Sequence, residues 1–124
     1  MRQSAQNLLR IWGTVFIVSI FFCCPQISLA NPPQEVKLEY DANFQTLVVT
    51  IAHKTISQGF HYIKTVEIKK GGKIVSTNTY VNQPAPETFT YKYPVPAAEG
   101  ETLEVTAACS IYGSKKASLI IPKK

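Results

Sequence analysis

An all-β fold, a seven-stranded immunoglobulin-like β-sandwich, is what the sequence predicts, and three observations predict it. From residue 35 onward the chain breaks into short runs in which apolar and polar residues alternate. Turn-forming residues separate these runs, so that seven fit into roughly 90 residues. No stretch spaces its apolar residues three and four apart over the length of a helix. The cysteine pair usual in immunoglobulin domains is absent.

Each strand has its own warrant. VKLEY (36–40) alternates Val36, Leu38 and Tyr40 with Lys37 and Glu39, and FQTLVVTIAH (44–53) places Leu47, Val49 and Ile51 on one face. HYIKTVEIKK (61–70) runs into Gly71-Gly72, a dipeptide able to take the positive φ angles of a tight hairpin, and KIVSTNTY (73–80) returns. VNQPAPE (81–87) is a loop, because two prolines in seven residues forbid an internal strand. TFTYKY (88–93) places Phe89, Tyr91 and Tyr93 on one side, as core or cross-strand packing. PVPAAEG is a second loop, TLEVTAAC (102–109) the sixth strand and KASLIIP (116–122) the seventh.

The first 30 residues read as something other than fold. MRQSAQNLLR carries Arg2 and Arg10 and no acid, and IWGTVFIVSIFFCC follows with fourteen uncharged residues. PQISLA then offers Ser28 and Ala30 as small residues before a cleavage point, the build of a secretory signal peptide cut after Ala30. A membrane span needs roughly 18 or more apolar residues, more than this run has. Phe21 and Phe22 stand before Cys23 and Cys24 where a lipidation signal needs small residues. The expected arrangement is a signal peptide over 1–30, one domain over 31–124, and a periplasmic or secreted product.

Export changes the cysteine count. Cys23 and Cys24 leave with the leader, and Cys109 remains alone with no internal disulfide open to it. In an oxidising compartment a single thiol needs burial, a metal or a second chain. The leader takes two of thirteen basic residues and none of eight acids, leaving 11 − 8 = +3, too mild to argue for nucleic acid.

Strand parity then gathers three residues. If each strand runs antiparallel to the one before, the loops after the second, fourth and sixth strands meet at one end. His53 ends the second strand, His61 opens the third and Cys109 ends the sixth. Period-two counting points His53 inward with Leu47, Val49 and Ile51, and Cys109 inward with Leu103, Val105 and Ala107. His61 shares parity with Ile63 and Thr65, opposite Val66 and Ile68, which places it on a bulge or in the loop proper. Imidazole nitrogen with thiolate suits iron, zinc or copper. The plain alternative is a buried small Cys109 and two ordinary loop-end histidines.

The stretches AHKTISQGFHYIKTVEI (52–68) and AACSIYGSKKASL (107–119) resemble the iron-binding domain of the desulfoferrodoxin and neelaredoxin superoxide reductases, across most of residues 35–122. That resemblance implies ferrous iron in four histidine nitrogens with an axial cysteine thiolate and an open position for superoxide. Residue by residue it implies His53 and His61 as nitrogen ligands, Cys109 as the axial thiolate and Gly113 as the glycine after the last ligand. Tyr112 stands where the last histidine belongs, a candidate fourth ligand, and the family's early Glu-Lys-His-x-Pro loop has no counterpart. With two histidines in the chain the four-histidine set is impossible. The expectation is an exported iron-binding domain of reduced or lost redox activity, served by a small redox protein. The fold also resembles the small sulfur-carrier partner of the thiosulfate-oxidising complex, which implies a metal-free protein-binding module as the alternative.

Lys69, Lys70 and Lys73 around the Gly-Gly turn, and Lys123 and Lys124, read as solvated charge. No Ser-His-Asp order, phosphate loop or zinc-protease helix is present, which excludes the common hydrolase motifs.

Overall fold

Seven strands form where alternation and turn chemistry place them. The computed structural model describes residues 31–123; the leader expected over 1–30 lies outside the described residues, as does Lys124. The strands are β1 (Glu35–Asp41), β2 (Thr46–Ala52), β3 (Ile63–Lys70), β4 (Lys73–Thr79), β5 (Thr88–Pro94), β6 (Thr102–Cys109) and β7 (Ser114–Ile120). They pair antiparallel throughout, as a three-stranded sheet β1-β2-β5 and a four-stranded sheet β4-β3-β6-β7. The chain crosses between sheets after β2, β4 and β5, the connectivity of a sandwich rather than a meander.

The core is the set of inward positions that period-two counting selects. Leu47, Val49 and Ile51 from β2 meet Leu103, Val105 and Ala107 from β6, all fully buried, with Val66 and Ile68 from β3 beside them. Burial of each large aliphatic side chain stabilises the fold by roughly 1.5–3 kcal/mol before entropic costs. Phe89 and Tyr93 are buried and Tyr91 packs against them, so the aromatic stripe of β5 is packing. Tyr91 also stacks flat on Tyr80, ring centroids 4.3 Å apart. The hairpin turn between β3 and β4 has Gly71 at φ 57° and Gly72 at φ 81°, the left-handed pair a two-residue turn requires.

Several boundaries differ from the sequence reading, β2 running Thr46–Ala52 rather than 44–53 and β7 ending at Ile120 rather than at 122, and two of the starts have a plain cause. β3 begins at Ile63 rather than His61, because Phe60 and His61 donate their N–H groups to Ser57 O in a turn and leave the ladder. β7 begins at Ser114 rather than Lys116, since Ser114 and Lys115 already pair with Ala108 and Ala107.

A bulge decides the parity of β3. Ile63 pairs with Cys109 and Thr65 with Ala108, so Lys64 is an extra residue in the strand. Ile63 therefore faces the core together with Val66 and Ile68, although plain alternation sets it on the opposite face.

Candidate metal centre

The loops after β2, β4 and β6 meet at one end of the sandwich, and hydrogen bonds between them fix three side chains. Beyond the end of β2 the chain stays paired: the His53 N–H donates to Glu87 O at 2.8 Å and the Thr55 N–H to Pro86 O at 2.8 Å, both in the loop before β5. His53 is held there with no solvent exposure. Cys109 ends β6 opposite Ile63 in the facing sheet, and its N–H donates to Gly113 O at 2.9 Å, closing a tight turn. Gly113 takes φ +82° in that turn.

His61 is placed by Ser110. The Tyr62 N–H donates to Ser110 Oγ at 3.1 Å, Ser110 Oγ donates to Phe60 O at 3.1 Å, and the Ser110 N–H donates to Tyr62 O at 2.8 Å. One serine thus staples the segment around His61 to the residue after Cys109. The His61 and His53 rings lie edge to face, centroids 4.6 Å apart.

One ligand atom from each of His53, His61 and Cys109 lies within 4.8 Å of the others, a group that could hold a metal ion. The Ile111 N–H donates to Cys109 Sγ at 3.4 Å. Tyr112 follows in the same turn with its side chain 67% exposed.

Gln83, which sequence reasoning did not single out, sets the chemistry of His53. Its Nε2 donates to His53 O and to Ala85 O, each at 2.8 Å, and its Oε1 accepts from the Ile63 N–H at 3.3 Å. A reversed amide would set donor against donor and acceptor against acceptor, so this orientation is fixed. Oε1 therefore accepts from His53 Nδ1–H, 2.7 Å away. Neutral imidazole carries one N–H, so His53 Nε2 bears a lone pair.

That lone pair faces another acceptor. His53 Nε2 lies 3.1 Å from the main-chain oxygen of Asn31, and His61 Nε2 lies 3.3 Å from the same atom. His61 can donate to it as the Nε2–H tautomer, but His53 cannot while Nδ1 holds the ring proton. A cation at the cluster, whether a proton or a metal ion, removes the conflict. A metal-bound histidine whose other ring nitrogen donates to a fixed acceptor is the usual arrangement in protein metal sites.

Four large apolar side chains are exposed around the cluster. Ile56 and Phe60 before β3, Val81 before β5 and Ile111 before β7 all expose large side chains on the loops of this end. Among the described residues no helix is long and apolar enough to cross a membrane.

No family model matches the chain, and no curated protein matches it. Among solved structures, it is similar to a superoxide reductase (neelaredoxin) from Ignicoccus hospitalis, at 14% identity and a TM-score of 0.49 over 74% of this chain and 82% of that one.

Proposed function

We propose that the domain binds one transition-metal ion, iron in the first instance, through His53, His61 and Cys109. The observation that carries this is the fixed His53 tautomer: Gln83 leaves the Nε2 lone pair aimed into the cluster, where a neutral protein group supplies no proton for it. Two imidazole nitrogens and a thiolate form a donor set suited to iron, zinc or copper rather than to calcium or magnesium. Iron in such a set supplies one-electron chemistry when bound. The domain's own part is to orient two rings and a thiolate and to leave further positions to water or to Tyr112. Superoxide reduction with electrons from a small redox protein would be a reduced or lost capacity in this chain, which has two histidines in all. Export follows from the leader over 1–30, removed after Ala30 into the periplasm or beyond.

A second reading has one observation in its favour. The exposed apolar side chains Ile56, Phe60, Val81 and Ile111 on three adjacent loops are what a metal-free protein-binding module would present.

Metal analysis and a visible spectrum separate the two. The protein purified without chelator and loaded anaerobically with ferrous iron is expected to retain near-stoichiometric iron and to show a thiolate charge-transfer band on oxidation. Cys109→Ser is expected to lose the band and most of the metal while remaining folded. No retained metal in the parent protein, or unchanged retention in the variant, refutes the assignment.

A further inference from the structure

We propose that the main chain of Asn31 closes this site, its carbonyl oxygen serving as a fourth ligand beside His53, His61 and Cys109; the inference rests on the metal-binding reading above. The oxygen lies 3.1 Å from His53 Nε2 and 3.3 Å from His61 Nε2. Donor atoms bound roughly 2.0–2.1 Å from one metal ion at tetrahedral or octahedral angles lie roughly 2.9–3.4 Å from each other. The two observed separations fall within that range. With Nδ1–H held by Gln83, the neutral His53 ring presents its Nε2 lone pair to the same oxygen, and a metal ion shared between them turns the two acceptors into two ligands.

The segment that delivers Asn31 is built to hold it. Gln34 donates its N–H to Ala52 O at 2.8 Å, which extends the β1-β2 ladder outward past Glu35. Pro33 is buried. Pro32 packs against Gly113, where an added Cβ would stand 2.5 Å from Pro32 Cβ. Two successive prolines fix φ at their own positions, and each restricts the residue before it to extended conformations, which sets the direction of the Asn31 carbonyl before any ion arrives. The absent side chain of Gly113 is thus part of the site: it lets the strap cross the Cys109 turn at van der Waals contact.

The strap is tested with cobalt(II), whose bands report ligand number. Both sheets and every core side chain come from residues 35–121, so chains beginning at Asn31 or at Pro33 contain the whole folding unit. The 31–124 chain is expected to bind one cobalt ion, with X-ray absorption showing one sulfur and three light neighbours, nitrogen or oxygen, and the 33–124 chain a changed number or spread of light neighbours. The 33–124 chain is expected to keep the thiolate band and lose affinity on the order of 10- to 100-fold, the loss typical of removing a group that supports a metal site. Pro32→Gly, which keeps the length and slackens the strap, is expected to lose less, and to do so with an unchanged fold by circular dichroism. Asn31→Ala is expected to bind as the parent does, because the main chain is the donor. Equal affinity in the 31–124 and 33–124 chains and in Pro32→Gly overturns the Asn31 assignment while the three-residue site stands. A loss in Asn31→Ala as large as in the deletion overturns it in favour of the side chain. Failure of the 31–124 chain to bind cobalt overturns the metal reading itself, and this inference with it.

Discussion

The two ends of the sandwich solve one problem in different ways. At the end carrying the β1-β2, β3-β4 and β5-β6 connections, Tyr40 sends its hydroxyl under the 95–101 loop, donating to Val95 O at 2.8 Å and accepting from the Ala97 N–H at 3.1 Å. Donor meets acceptor in both bonds, and the loop is held by the chain's own groups. At the other end His53 also ties loops together, but both of its ring nitrogens meet oxygen acceptors. The first end is satisfied by neutral groups alone, whereas at the second a neutral imidazole leaves two acceptors facing each other until a cation, a proton or a metal ion, comes between them. Two acceptors held face to face by the fold are the arrangement that a cation satisfies.

Gln83→Ala is the substitution expected to damage the molecule most. It removes four hydrogen bonds at once, those with His53 Nδ1–H, the Ile63 N–H, His53 O and Ala85 O. Each buried group left without a partner costs roughly 1–3 kcal/mol, and partial entry of water offsets some of the sum, so a loss of about 3–4 kcal/mol is expected in urea unfolding. The same variant frees the His53 ring to take either tautomer, so metal affinity should fall even where the protein stays folded. A loss below about 1 kcal/mol, with metal binding intact, would show that Gln83 fills space and does not orient the ligand.

Tyr40→Phe is the matched change at the complete end. It deletes the two bonds of one half-buried hydroxyl and is expected to cost about 1–2 kcal/mol. Metal affinity should not move, because Tyr40 and the cluster stand at opposite ends of the strands. If Tyr40→Phe weakened metal binding as Gln83→Ala does, the ends would be coupled and the contrast between them would fail.

How much of this the sequence discloses follows from where each signal resides. The strands, the Gly71-Gly72 hairpin and the inward direction of His53 and Cys109 are local or periodic properties, and alternation reads them directly. His61 defeats alternation because the extra residue at Lys64 changes the parity of β3, and a bulge leaves no composition signal at Ile63-Lys64-Thr65. Gln83 sits in a proline-rich loop, and its partners at His53 and Ile63 lie 30 and 20 residues away. The meeting of loops from β2 and β4 at one end was the available hint that a polar residue there has work to do. Asn31 gives no sign at all, since a main-chain oxygen is the same in every residue type and only the folded strap brings it to the imidazoles.

Between the two ends lies a third polar arrangement, and its titration supplies the smallest expected effect. Tyr80 and Tyr93 share a hydrogen bond of 2.7 Å between their hydroxyls, and Tyr80 stacks on Tyr91. Burial, followed by the proximity of Tyr80, pushes the Tyr91 phenol up to about 12. Tyr93 is pushed well above the ordinary phenol range by burial first and by the bond to Tyr80 second. In both cases the folded protein favours the neutral phenol. Below about pH 10, the ordinary phenol value, folded and unfolded chains are equally protonated and the contribution is fully present. Above it the unfolded chain loses protons that the native state retains, so stability falls as pH rises through the interval from about 10 to about 12. Urea unfolding at a series of pH values across that interval should show the decline, and Tyr93→Phe should make it shallower without touching metal binding. The difference between parent and variant, rather than the decline itself, reports Tyr93. Parallel curves for parent and Tyr93→Phe would mean that this arrangement opens to water before either phenol ionises.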